Sequence, residues 1–349
     1  LPLSLRSPFP PKCLKEILRV IRSVTPLARI GHHPLFPAKM PRFTRRKYPI
    51  RRKTTRVTRR RFTGVRKRTT TRRTYRRPMT RRKVLNITTR KKRDTMQPLS
   101  FNSDLGAPTN DARPGVGAVI KGGRTSMFLW SPTARDLTDS TGVANGVSYE
   151  SSRTSSTIFL RLLSEKIRMS TSDSTPWIWR RIVVSTKSVF WRGVTEAEAT
   201  SGKNKSPYIE STNGFSRLLQ QWDDLAGSAQ TQRLILDDLF RGKQGKDWSD
   251  PMTAPVDTLT MTKHYDKTTT IRSGNDTGTV RMTRRTHTFN KTFRYFEDEN
   301  GQFQDSAHWS SMGKGMGDVY ILDFFSNFIG GASTLLKFEP ESTLYWHEK

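Results

Sequence analysis

The chain has 349 residues, with 62 Lys plus Arg against 30 Asp plus Glu and a formal net charge of +32. Its one cysteine, Cys13, excludes an intrachain disulfide, a Cys-based zinc site and an iron–sulfur cluster. No apolar run approaches the roughly 18 residues that a membrane-spanning helix needs.

The charge is unevenly distributed. Residues 1–39 carry 7 basic and 1 acidic side chains, Met40–Arg93 carries 25 Lys plus Arg and no acid, and residues 94–349 are nearly neutral. The expected division is therefore an N-terminal segment (1–39), a basic arm (40–93) and a globular body (94–349) long enough for a large core. All eight Trp lie in the body.

Residues 1–39 begin with Leu1 and hold seven Pro. Lys12–Val24 places Leu14, Ile17, Leu18 and Ile21 at helical spacing, so a short amphipathic helix is expected there. The segment reads either as a basic targeting peptide or as an upstream extension of a frame whose natural start is Met40, and the second reading is preferred. His32-His33 has no further ligand nearby and reads as incidental.

In the arm, basic clusters are spaced by Thr and single aromatics (Phe43, Tyr48, Phe62, Tyr75). The clusters are Arg45, Arg46, Lys47; Arg51, Arg52, Lys53; Arg59, Arg60, Arg61; Arg66, Lys67, Arg68; Arg72, Arg73; Arg76, Arg77; Arg81, Arg82, Lys83; and Arg90, Lys91, Lys92, Arg93. So charged a segment cannot bury enough apolar surface to fold alone. It can neutralise phosphates with release of counterions, which gives salt-sensitive, sequence-independent binding, and its aromatics can stack on unpaired bases. A solvated face would mix both signs. A membrane-bound polybasic patch would carry an apolar anchor, and none is present. The same clusters suit nuclear import.

The body reads as strands. Val84–Thr88 is expected to be a first strand or a clamp onto the body, and Gln97–Gly123 a loop with a brief strand at Ala118–Lys121. Thr125–Trp130, Thr157–Leu163, Glu165–Met169 and Trp177–Trp191 have strand composition, the last as two pieces, Ile182–Val184 and Val189–Trp191. Arg135–Arg153 and Thr195–Asn213 are expected to be loops, and Phe215–Trp222 and Gln232–Phe240 short connecting helices. Val256–Met261, Thr262–Arg272, Thr279–Phe289, Lys291–Phe296, Asp318–Ser326 and Thr343–His347 complete the strands. Ser273–Gly278 reads as a turn in which Gly and Asn supply positive φ. Eight to ten strands with long loops argue for an all-β sandwich or jelly roll and against βαβ units.

No catalytic constellation, cofactor motif or metal site is expected. Gly242-Lys-Gln-Gly-Lys246 lacks the spacing and the following Ser/Thr of a phosphate loop. There is no His-x-His pair and no Gly-x-Ser-x-Gly elbow. His264, His287, His308 and His347 are scattered, and Glu297-Asp-Glu299 reads as a solvated turn rather than a cation site. Arg284, Arg285 and Lys291 either extend a nucleic-acid surface or pair with body carboxylates.

Arg77-Pro-Met-Thr-Arg-Arg-Lys-Val-Leu-Asn-Ile-Thr-Thr-Arg-Lys-Lys-Arg-Asp-Thr-Met96 closely resembles the end of the basic arm of genomovirus capsid proteins, from small circular single-stranded DNA viruses of the gemycircularvirus type. His264–Gly278, Asn290–Gly301, Gly317–Ser326 and Leu344–Trp346 are similar to later segments of the same proteins, so the likeness runs from about Met40 to the end. It implies a non-enzymatic structural protein with a single eight-stranded jelly-roll domain. Many copies would form an icosahedral shell around a single-stranded DNA genome held by the arm. It also implies a nuclear phase in the host, with import receptors as partners, no membrane, and the virion and host nucleus as locations. A shell of about 60 copies would carry on the order of 1,500 arm charges, enough for roughly as many nucleotides at one charge per phosphate. A near-neutral body suits subunit packing. The competing readings are a ribosomal- or chromatin-type binding protein with a basic tail, and a DNA-acting enzyme tethered by the arm.

Overall fold

The computed structural model describes residues 79–349 except 194–205, 223–228, 302, 306 and 328. The Lys12–Val24 stretch, His32-His33 and the arm through Arg77 lie outside the described residues.

A helix, α1 (Arg81–Thr88), precedes the strands β1 (Arg90–Met96), β2 (Pro98–Asn102), β3 (Pro108–Pro114), β4 (Ala118–Lys121), β5 (Thr125–Trp130), β6 (Thr157–Thr171) and β7 (Trp177–Thr186). Short strands β8 (Glu210–Ser211), β9 (Gly214–Phe215) and β10 (Arg217–Leu219) lead to α2 (Ala229–Leu239). Then follow β11 (Thr262–Ile271), β12 (Val280–Arg294), the small hairpin β13 (Glu299–Asn300) and β14 (Phe303–Gln304), β15 (Asp318–Ser326) and β16 (Leu335–Glu348).

The protein is all-β, built on two antiparallel sheets. One has the order β1-β16-β6-β12, with β4 also on β16; the other has the order β11-β7-β15-β5. Their facing sides form the core. Leu160, Leu163, Leu344 and Trp346 of the first sheet meet Trp130, Val183, Val319 and Ile321 of the second. Further along, Ile167, Met169 and Phe338 meet Phe128, Trp179 and Phe325. The second sheet is covered on its other side as well: Ile182, Val184, Tyr320 and Leu322 pack with Ile235, Leu236 and Leu239 of α2 and with Trp191, Trp222 and Trp248. Hence every residue of β15 is buried. Among the described residues the first sheet has no such cover, and β16 alternates buried and half-exposed residues along its length.

Several local expectations are corrected. Val84–Thr88 is neither a strand nor a clamp. Thr80 caps α1, its side chain accepting from Lys83 N at 3.4 Å, the straight-chain basic residues favour helix, and Ile87 is left exposed. The expected loop Gln97–Gly123 contains β2 and β3, because β2 finds an antiparallel partner in β3 and a distant parallel one in β10. That pairing also makes the Phe215–Trp222 segment strand rather than helix. Val189–Trp191 is a 3₁₀ turn anchored by Trp191 Nε1, which donates to Asp238 Oδ2 at 2.6 Å. Val256–Met261 forms only an isolated bridge at Val256. Glu165–Met169 merges with Thr157–Leu163, and the two pieces expected around residue 290 form the single strand β12. It carries a bulge at Asn290, a residue that tolerates its positive φ of 52°. The Ser273–Gly278 turn forms without positive φ. Asn275 Oδ1 accepts from the Ser273 and Thr277 hydroxyls, and Gly278 is required for close approach, since a Cβ there would fall 1.9 Å from Thr171 O.

A buried ionic cluster crosses the sandwich. Arg181 Nε and Nη2 donate to the Asp323 carboxylate at 2.7 and 2.9 Å, and Arg217 bridges Glu165 at 3.1 Å and Asp323 at 2.8 Å. Arg181 also binds Glu165, Ser342 Oγ donates to Glu165, and Trp179 Nε1 donates to Asp323. Two cations meet two carboxylates, so the cluster is neutral. Although burial opposes ionisation, Arg181 and Arg217 hold Glu165 down at about 2. Burial and Arg181 keep nearby His287 neutral, at about 4. Asp318 moves the other way, pushed up to about 6 by burial.

These shifts set the acid response. On acidification from pH 7 to 4, the unfolded chain protonates His287 while the folded protein does not, which costs stability. The folded protein protonates Asp318 before the unfolded chain does, which adds a similar amount, about 3 kcal/mol each. Glu210, pushed up to about 7 by burial and the Asp136 carboxylate, adds a smaller gain in the same window because it is half-exposed, so stability is expected to hold level or rise slightly down to about pH 4.5. Below that the unfolded chain takes up the proton Glu165 refuses, and roughly 3 kcal/mol is lost by pH 2. Urea midpoints measured across pH test this, and a steady fall beginning at pH 6.5 would contradict it.

Candidate nucleic-acid interface

Of the expected phosphate-binding residues, Arg45 through Arg77 lie outside the described residues. Arg81, Arg82 and Lys83 fall on α1, with Lys83 exposed. The last cluster, Arg90–Arg93, is not in a tail at all: β1 runs antiparallel to the C-terminal strand, with Arg90 opposite Glu348 and Arg93 opposite Tyr345. The boundary expected between Arg93 and Asp94 thus falls inside a strand.

Strand alternation splits that cluster. Lys92 faces inward and is only 4% exposed. Its Nζ lies 3.2 Å from Glu348 Oε2 and donates to Ser152 O at 2.7 Å and to Thr154 Oγ1 at 3.0 Å. Glu348 also accepts from Trp346 Nε1 at 2.8 Å. The assignment of Lys92 to phosphate binding is therefore corrected, because its charge is consumed in pinning the two chain-distant strands together. Lys91 and Arg93 face outward and remain available; the Arg93–Glu150 pair, at 3.9 Å between two well-exposed side chains, is weak.

The outward face continues across the uncovered sheet. Lys91 sits opposite His347, and His347 opposite Phe159; Arg93 sits opposite Tyr345, and Tyr345 opposite Leu162. The Phe159 and His347 rings lie 6.2 Å apart. Lys166 and Arg284 are register partners on β6 and β12. At one end Glu339 neutralises Arg168 at 2.6 Å and Lys337 at 3.0 Å. Lys91, Arg161, Lys166 and Arg284 make no ion pair among the described residues. Glu341 lies opposite Lys166 on the same face. The result is a mainly cationic sheet face on which Lys91, Arg93 and Arg161 lie among aromatic rings, suited to phosphates and unstacked bases together. Burial and the neighbouring Arg161 and Lys91 charges lower the His347 pKa.

Of the three basic residues singled out on β12, only Arg284 joins this face. Arg285 turns its guanidinium over Trp179 at 5.5 Å, and Lys291 lines a cleft of about 650 Å³ beside Met316. Phe159, Tyr345 and His347 were missed from sequence, because single aromatics in strands carry no sign of which face they will occupy. Glu297 is not in a solvated turn: its buried carboxylate meets Arg153 at 2.5 Å, and Arg153 lies 3.6 Å from the Tyr295 ring centroid.

No metal site was expected, yet among the described residues one set of donors converges. Asp136, Glu210 and His308 each offer an atom, all within 4.8 Å of one another. Burial and the neighbouring Asp136 carboxylate push Glu210 up to about 7. No described helix is long and apolar enough to cross a membrane. No protein-family model matches the chain, and no curated protein matches it significantly.

Proposed function

We propose that this chain is a viral capsid protein of genomovirus type, many copies of which close into a small icosahedral shell around single-stranded DNA. The observation that carries the reading is the join between arm and body. The last cluster of the basic arm, Arg90–Arg93, is part of β1, on the sheet whose outer face carries Lys91, Arg93, Arg161, Lys166 and Arg284, so the arm's sequence runs directly into a strand of that sheet. Strand order supports it. With β4, β5, β6, β7, β11, β12, β15 and β16 taken in chain order as eight strands, and β1 set aside as an addition to the edge of β16, the first lies beside the eighth, the eighth beside the third and the third beside the sixth. In the second sheet the second lies beside the seventh, the seventh beside the fourth and the fourth beside the fifth. That order is the one expected of a double Greek key, and it supports reading the sandwich as a jelly roll, an architecture of viral capsid domains, lectins and cupins. The nearly neutral body suits close packing of copies, and the arm's clusters double as a nuclear import signal.

Electron microscopy of the full chain mixed with circular single-stranded DNA tests this. Uniform closed particles are expected. DNA-coated monomers without shells would instead favour a ribosomal- or chromatin-type binding protein.

A further inference from the structure

We infer that Asp136, Glu210 and His308 form a divalent transition-cation site of the Zn²⁺ class that ties together three chain-distant segments, two loops and the short strand β8. Asp136 follows β5, Glu210 lies in β8 and His308 precedes β15, so long stretches of chain separate the three donors and the fold alone brings them together. They line an open recess of about 400 Å³, with Asp139, Ser140, Ser206 and Tyr208 around it.

The donor chemistry selects the ion. One imidazole with two carboxylates is a nitrogen-and-oxygen set that suits Zn²⁺, whereas Ca²⁺ and Mg²⁺ take oxygen ligands almost exclusively. The spacing agrees. Two donors bound at 2.0–2.1 Å to a tetrahedral ion lie roughly 3.3–3.4 Å apart, and His308 Nε2 lies 3.6 Å from Asp136 Oδ2. Closing the remaining separations, all within 4.8 Å, takes a shift of at most about 1.5 Å, inside the reach of a half-exposed glutamate rotamer.

A second observation is independent of that spacing. Asp136 Oδ1 is fully enclosed and has no hydrogen-bond partner, an arrangement that ordinarily costs stability. The Glu210 carboxylate likewise accepts no hydrogen bond and makes no ion pair among the described residues. Asp136 and Glu210 make no ion pair with Arg or Lys among the described residues; of the guanidiniums that act on the recess, Arg135 is already committed to Asp94 at 2.6 Å and Arg153 to Glu297. The outer shell is in place: Thr138 Oγ1 donates to Asp136 Oδ2 at 3.0 Å, and the Tyr208 ring stacks on His308 at 4.6 Å, fixing the imidazole plane. The recess leaves a fourth position open to water.

The test titrates zinc chloride into the chelator-stripped full chain by calorimetry and follows thermal unfolding in parallel. One tight equivalent per chain is expected, and a melting temperature raised by roughly 5–10 °C at a hundredfold excess over Kd. Glu210→Gln and His308→Ala should each weaken that equivalent at least tenfold and erase the shift. The Glu210→Gln protein should melt, without metal, no lower than the parent, because a repelling charge is gone. Absence of a tight equivalent, an isotherm unchanged in both variants, or an equal thermal shift with magnesium chloride would each overturn the assignment.

Discussion

Deleting Met40–Thr89 from the full chain is expected to weaken single-stranded DNA binding by about a thousandfold or more at physiological salt and to leave the sandwich folded. Extending the same deletion by four residues, to Arg93, is expected to unfold it or leave it marginal. The first deletion removes all but four of the arm's 25 basic residues, and six to ten phosphate contacts are enough to make affinity vary by that order with salt. It also removes α1, whose Val84 and Ile87 are exposed, so the core loses little. What remains is the outward face with Lys91, Arg93, Arg161, Lys166 and Arg284. Five such contacts leave a residual log–log salt slope of about −3.5, against a much steeper slope for the full chain. The longer deletion removes the start of β1 and with it Lys92, which strands Glu348 in the interior beside Trp346. Leaving one partner of a buried pair uncompensated costs about 3–5 kcal/mol, out of a total near 5–15 kcal/mol for a typical domain. Urea melts followed by circular dichroism separate the two deletions. Equal stability for both would show that β1 is dispensable, and a flat salt response in the full chain would remove the arm from the binding surface.

The contrast explains what could be read from residues alone. Thr125–Trp130, Asp318–Ser326 and Thr262–Ile271 were legible because a dense run of β-branched, aromatic and Thr residues between turns fits little else. The 97–123 segment was not legible: its Pro, Gly and Asn content signals turns, while the pairing of β2 with β10 is decided by residues far along the chain. The arm was legible as charge, but its end was not. Lys92 looks like any other member of Arg90–Arg93 until β16 supplies Glu348 from the last residues of the chain. The sheet face and the Asp136, Glu210 and His308 set were hidden for the same reason, since neither cross-strand register nor loop convergence leaves a local pattern. Composition reports what a segment can do in isolation, and the functional geometry here comes from non-local pairing.

The buried ionic cluster is the place where that non-local pairing is most exposed to test. Arg217→Met is expected to destabilise the protein by about 3–5 kcal/mol, because Glu165 and Asp323 would then share one cation, Arg181, in an interior where all four groups are essentially inaccessible. Packing alone would account for much less, since Met replaces most of the aliphatic stem, although the contact of the Arg217 guanidinium with the Trp130 ring, 4.4 Å from its centroid, is lost as well. Adding Glu165→Gln to Arg217→Met restores neutrality. Coupling between directly bonded residues falls in the range of about 0.5–3 kcal/mol, so the double variant should be more stable than Arg217→Met alone. The same Glu165→Gln change, made singly, should flatten the acid limb between pH 4.5 and 2, because the group held at about 2 is then absent. Guanidinium denaturation of the three variants at pH 7 reads the first effect and an acid series reads the second. If the two substitutions simply add, Arg217 contributes volume rather than charge. The sandwich would then be held by its Trp- and Phe-rich layers, with the ionic cluster incidental to their alignment.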